Sequence, residues 1–196
     1  MASDELFPLW RLTGMTGMRR GEVCGLLWAD VDLDAAQLRV RRQLGVISRK
    51  LVFAERPKSD QWPAARSTWT PRPFGSSVGT GRPRTRRRLL IGEGWQSDLV
   101  FCGPAGEPLN PDSVSRTFDR RARKAGVPHI RFHDIRHSHC AHLIAAGRNP
   151  TEISRRLGHA SVSFTLDRYG HVMPDAGAQA AAAAPGWWTG LTARTA

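Results

Sequence analysis

Residues 132–147, FHDIRHSHCAHLIAAG, and residues 155–175, RRLGHASVSFTLDRYGHVMPD, hold six of the seven histidines of this chain, so histidine chemistry belongs there. His133 and Arg136 are three apart, and on a helix both side chains emerge on one face. His159 follows Leu157-Gly158, a pairing suited to a helix stop. Tyr169, the sole tyrosine, comes ten residues later. Each has an ordinary explanation when taken singly. A polar pair can solvate a helix end, a histidine can decorate a helix C-terminus where the dipole favours a cation, and a tyrosine between polar neighbours is usually half-buried packing. Order and spacing carry what the single residues do not.

Working outward, Asn110-Pro111 and Asn149-Pro150 each put a capping side chain before a proline suited to the first helical position, and Gly126 and Gly158 suit the ends. These signals predict helices over about 111–125, 134–146 and 150–157. Ser161 can cap a further helix running to Tyr169, and the alanine run 176–184 favours a last one. Towards the N-terminus, residues 6–12 and 21–28 carry apolar side chains at helical spacing, the second run ending in the acidic turn 29–34. Leu38, Val40, Leu44 and Val46 then fall at even steps, and residues 37–46 and 51–55 with a turn at 48–50 predict a hairpin. The expected fold class is mainly α with a small antiparallel β-sheet (α+β).

A length of 196 residues suits one domain with a real core. Lys and Arg number 29 against 17 Asp and Glu, a formal net charge of +12 expected of a protein facing phosphates. Three scattered cysteines, Cys24, Cys102 and Cys140, suggest neither a disulfide framework nor a cysteine zinc site, which fits a reducing cytoplasm. No apolar run approaches the eighteen or so residues of a membrane span. Asp4 and Glu5 stand where a signal peptide would be basic, so no membrane partner and a cytoplasmic location are expected. Residues 61–88 differ in kind, with seven arginines, no acidic residue and no helical or strand period. A disordered basic loop is the ordinary reading.

Four stretches together resemble the tyrosine recombinases of the phage integrase type. TGMRRGEVCGLLWADVDL (16–33) resembles their first-arginine motif, PKS (57–59) their hairpin lysine motif, residues 132–147 their HxxR box, and residues 155–175 their second-histidine and nucleophile box. The resemblance runs from about residue 6 to 175 and implies the DNA breaking-rejoining catalytic fold over 1–178, with 179–196 as a tail that could pass to a neighbouring protomer. It implies Tyr169 as the nucleophile on a DNA phosphate, giving a 3′-phosphotyrosyl intermediate and a free 5′-hydroxyl. His133 is then the expected general base, Arg19 and Arg136 the forks on the non-bridging oxygens, Lys58 the acid for the departing 5′-oxygen, and His159 a donor to the phosphate. Glu22, three residues beyond Arg19, is implied as a structural support of the site that does not itself react. The arginines would do the work of metal ions, so neither a metal nor another cofactor is expected.

The implied partners are double-stranded DNA at an attachment or recombination site and, on that DNA, a homo-tetramer. The N-terminal core-binding domain of such enzymes is expected to be absent, because the first-arginine helix begins near Met1. Residues 61–88 stand where the family has a strand and a helix. With GC-rich codons, shifted frames can restore that pattern, so displacement of the reading frame is a second account of the stretch. Lys58 then sits beside a damaged segment, and cleavage is expected to be slow or absent. Two other function classes stay open. One is a DNA-binding remnant without catalysis. The other is a metal-dependent hydrolase, from the His133-Asp134-His137 spacing, a loose echo of a zinc motif that leaves Arg19, Lys58 and Tyr169 unexplained.

Overall fold

The first apolar run folds as α1 (Phe7–Thr16), with Pro8 in its opening turn and Gly17 at its end, where a φ of +68° supplies the left-handed stop. The computed structural model describes residues 5–55, 66–68, 97–159 and 161–169, with 66–68 described by backbone path alone. After α1 come α2 (Arg20–Cys24), a 3-10 turn (Trp28–Asp30), β1 (Val31–Asp32), β2 (Gln37–Arg39), β3 (Arg42–Ile47), β4 (Lys50–Glu55) and β5 (Arg66–Thr68). The helices α3 (Pro111–Lys124), α4 (Phe132–Ala145), α5 (Pro150–Leu157) and α6 (Val162–Tyr169) follow. The helix-rich architecture with small antiparallel sheets is the expected fold class.

The capping signals act as read. Asn110 Oδ1 accepts from the Asp112 and Ser113 amides, Asn149 Oδ1 from the Thr151 amide, and Ser161 Oγ from the Phe164 amide. Gly126 and Gly158 take φ values of +69° and +64°. The helix expected over 134–146 begins two residues early, because Asp134 Oδ2 accepts from the Arg131 amide at 2.7 Å and makes Arg131 the cap.

Three expectations are corrected. The helix expected over 21–28 stops at Cys24, because the backbone beyond it bonds sideways: Leu26 O accepts from the Val100 amide at 2.8 Å, and the Trp28 amide donates to Asp98 O at 3.0 Å. The strand expected over 37–46 is two strands in two sheets. β2 joins the antiparallel order β1-β2-β5, whereas among the described residues β3 pairs with β4, Leu44 opposite Phe53 and Ile47 opposite Lys50. Arg41 and Arg42 at the break both reach the buried carboxylate of Asp30, at 3.2 and 3.0 Å. Finally, the stretch read as lacking any strand contributes β5, whose three residues pair with β2. An edge strand this short uses only backbone donors and acceptors, which need no side-chain alternation.

The larger core cluster gathers Leu9, Leu12, Val23, Leu26, Leu38 and Leu44, tying α1 and α2 to the sheets. Trp10, Phe118 and Phe132 meet edge to face, at 5.8 and 5.6 Å between centroids, and lock α1, α3 and α4 together. A smaller cluster of Cys140, Ile144, Ile153, Leu157 and Tyr169 joins α4, α5 and α6. The nucleophile candidate is therefore part of a core. Lys58 and the alanine run 176–184 lie outside the described residues.

Candidate active site

Gly158 ends α5 in the left-handed conformation, so the last carbonyls of that helix point outward without intrahelical donors. Two arginines supply the missing donors. Arg136 Nη2 donates to Leu157 O at 2.7 Å, and Arg19 Nη2 donates to Gly158 O at 3.0 Å. Arg136 also spans to α1, its Nη1 donating to Gly17 O at 2.6 Å. One guanidinium thus bridges two helix C-termini, where the dipoles favour a cation. It is 5% exposed, a depth that an arginine reaches only when its donors are satisfied.

Arg19 sits at the cap of α2. Its amide donates to Glu22 Oε2 and its Nη1 to Glu22 Oε1, both at 2.9 Å, and the Glu22 carboxylate is buried. Glu22 therefore holds Arg19 by main chain and side chain together. Gly21 lets this turn approach the hairpin, since a Cβ there would stand 2.6 Å from Leu44 O.

The histidines divide the space around the arginines. His159 shares a 2.7 Å hydrogen bond with Thr165 Oγ1, and burial with Arg136 and Arg19 nearby pushes its pKa down to about 4. It is neutral at pH 7. His133, exposed in the first turn of α4, lines a cavity of about 500 Å³ with Arg19, Arg20, Gln43, Gly45 and Ser115. Burial, His137 and Arg136 lower its pKa. Tyr169 is 6% exposed at the end of α6, and its phenol oxygen is hydrogen-bonded to His137 Nδ1. Burial and the adjacent Cys140 push that phenol up to about 12.

Arg19, Glu22, His133, Arg136, His159 and Tyr169 are thus carried by the helix ends that meet around the Leu157–Gly158 turn, whereas Lys58 falls outside the described residues. Sequence reasoning passed over His137 as a partner of Tyr169, and also Cys140, Thr165 and Gly17. In the sequence, His137 stands out only as a candidate metal ligand. Asp134, between the two histidines of that echo, is bound by Arg131 at 2.7 and 2.9 Å. Among the described residues, no group of three or more His, Cys, Asp or Glu side chains could hold a metal ion.

Comparison with known proteins bears directly on this constellation. The sequence profile of the phage integrase family matches residues 82–175, which include α3 to α6 with His133, Arg136, His159 and Tyr169. A tyrosine recombinase XerC-like protein of Caldanaerobacter subterraneus subsp. tengcongensis is 30% identical over 188 residues, the match covering 89% of this chain and 47% of that protein. The chain belongs to the phage integrase family of tyrosine recombinases.

Another tyrosine recombinase of the family, XerC of Corynebacterium glutamicum, is 30% identical, with 80% of this chain and 43% of that protein covered. The chain spans about half the length of these curated relatives. The fold agrees as well. A solved Tn1549 transposon integrase in complex with transposon right end DNA superposes with a TM-score of 0.70 at 22% identity, over 84% of this chain and 54% of that one. Among the described residues, no helix is long and apolar enough to cross a membrane.

Proposed function

We propose that this chain is the strand-cleaving domain of a site-specific DNA recombinase of the integrase kind, acting on double-stranded DNA by transesterification. The observation that carries the reading is the convergence of Arg19, Arg136 and His159 on the turn after α5, one helix away from a tyrosine held in the core.

Tyr169 Oη attacks the scissile phosphorus. The Oη–P bond forms as the P–O5′ bond breaks, and the phosphodiester bond energy is kept in the phosphotyrosine, so no ATP is required. Negative charge builds on the non-bridging oxygens, and planar guanidinium forks held by Glu22 and by helix C-termini stabilise it without reorganising. His159, neutral and steadied by Thr165, donates to the phosphate. His133, at the lip of the cavity, faces the substrate. Lys58 protonates the leaving 5′-oxygen. On paired sites the chain acts as a tetramer, with the tail 179–196 passed between protomers, and it works in the cytoplasm at the nucleoid.

The test is covalent trapping. Nicked duplexes tiled across the DNA flanking the gene should yield a protein–DNA adduct that is lost in Tyr169→Phe. Adduct formation is expected to be slow, because, β5 apart, the sequence of residues 61–88 beside Lys58 carries neither a helical nor a strand period. Binding without any adduct would favour the remnant reading instead.

A further inference from the structure

Two histidines stand one helical turn apart on α4, and they face different things. His133 is exposed and lines the cavity beside Arg19. His137 is half-buried, and its Nδ1 is bonded to the Tyr169 phenol, the rings 6.0 Å apart between centroids and tilted by 42°. The two imidazoles meet edge to face at 4.7 Å, so His133 packs behind His137 rather than on the tyrosine. Among the described residues, the phenol meets the His137 ring and the Cys140 thiol.

We infer that His137, the residue after Arg136, takes the phenolic proton of Tyr169 when the nucleophile attacks, while His133 serves the phosphate side of the cleft. The inference rests on the transesterification reading. Neutral His137 carries its proton on Nε2 and offers the Nδ1 lone pair to the phenol. As the Oη–P bond forms and the P–O5′ bond breaks, the proton moves from Oη to Nδ1 and leaves an imidazolium. In the reverse reaction, the attacking 5′-hydroxyl expels Oη, which recovers that proton.

The need for such an acceptor is quantitative. With the phenol pushed up to about 12, roughly one molecule in 10⁵ is phenolate at pH 7, so attack by a preformed phenolate is a rare event. The surroundings of His137 suit the task. Burial, Arg168 from α6 and Arg136 on its own helix lower its pKa, as does Arg131 at the α4 cap, which keeps the ring neutral and ready to accept. Asp134, one turn back, raises it and steadies the imidazolium once formed. His159, from the turn after α5, interacts electrostatically with this ring and is itself neutral at pH 7.

The experiment compares His137→Ala with His133→Ala in covalent trapping on nicked duplexes, with and without added imidazole. His137→Ala should slow trapping at least 100-fold, with imidazole restoring part of the rate in proportion to its free-base fraction. His133→Ala should be slowed without such rescue. Trapping by His137→Ala within threefold of wild type overturns the inference, as does a slow, folded variant that imidazole leaves unchanged. A second readout needs no catalysis: NMR titration of the histidine rings in wild type and Tyr169→Phe. His137 should change its pKa by more than half a unit and His133 should not, and the opposite pattern overturns the assignment. If the wild-type chain traps no DNA, the recombinase reading fails and takes this inference with it. If wild type traps and only the His137 arms fail, the recombinase reading stands.

Discussion

Arg136 does structural work before any substrate arrives. Its guanidinium satisfies Gly17 O and Leu157 O from a buried position, so Arg136→Ala leaves two carbonyls without these donors. A loss of about 2–4 kcal/mol in unfolding free energy is expected by urea titration. Arg136→Lys should recover only part of it, because an ammonium cannot span both carbonyls. Gly17 is constrained from two sides. Its φ is +68°, and an added Cβ would stand 2.5 Å from Leu157 Cδ2 and 2.8 Å from His139 Cδ2. Gly17→Ala should therefore cost about 1–3 kcal/mol in the same titration and displace the turn leading to Arg19.

The elements depend on caps that are readable one by one. Asn110 and Asn149 each accept amide protons at a helix start, and replacing either by alanine should lower stability by about 1 kcal/mol, seen as a lower thermal midpoint. The two variants should differ in trapping rate. Asn149→Ala loosens α5, whose terminal carbonyls receive both arginines, and should slow trapping more than Asn110→Ala does. The element boundaries that sequence reading missed have one cause. At residues 26–28, and at the break between β2 and β3, backbone and charged groups bond to partners distant in sequence, Val100 and Asp98 in one case and Asp30 in the other. Periodicity reports which face of a segment is apolar, and it carries no record of such sideways bonds.

At the scale of the whole molecule, half-buried neutral histidines set the acid limit. His139, beside Arg156 and Arg136, and His159, beside Arg136 and Arg19, are each pushed down to about 4, chiefly by burial. Because these folded-state values lie below the ordinary histidine value of about 6.5, the unfolded chain binds more protons between those limits. Stability contributed by the two sites is fully present above about pH 6.5 and is lost as the pH falls towards 4. Thermal midpoints recorded from pH 7 to 4 should fall steadily, and His139→Gln, which keeps a donor for Gly14 O, should flatten the decline. The net charge of +12 has its own signature. DNA affinity should drop about three- to fourfold per contacted phosphate between 50 and 200 mM salt, a slope readable by fluorescence anisotropy.

The sequence by itself determined the family and the helices with capped ends, and it singled out Arg19, Glu22, His133, Arg136, His159 and Tyr169 as candidates for one site, because caps, turns and spacing are local and motif order is linear. Tertiary structure alone decided how the members are held. Arg136 became buried because two helix C-termini, 119 and 21 residues away in the chain, both needed a donor there. His137 met Tyr169 because α6 docks against α4 through Cys140 and Ile144, a packing outcome that no spacing along the chain encodes.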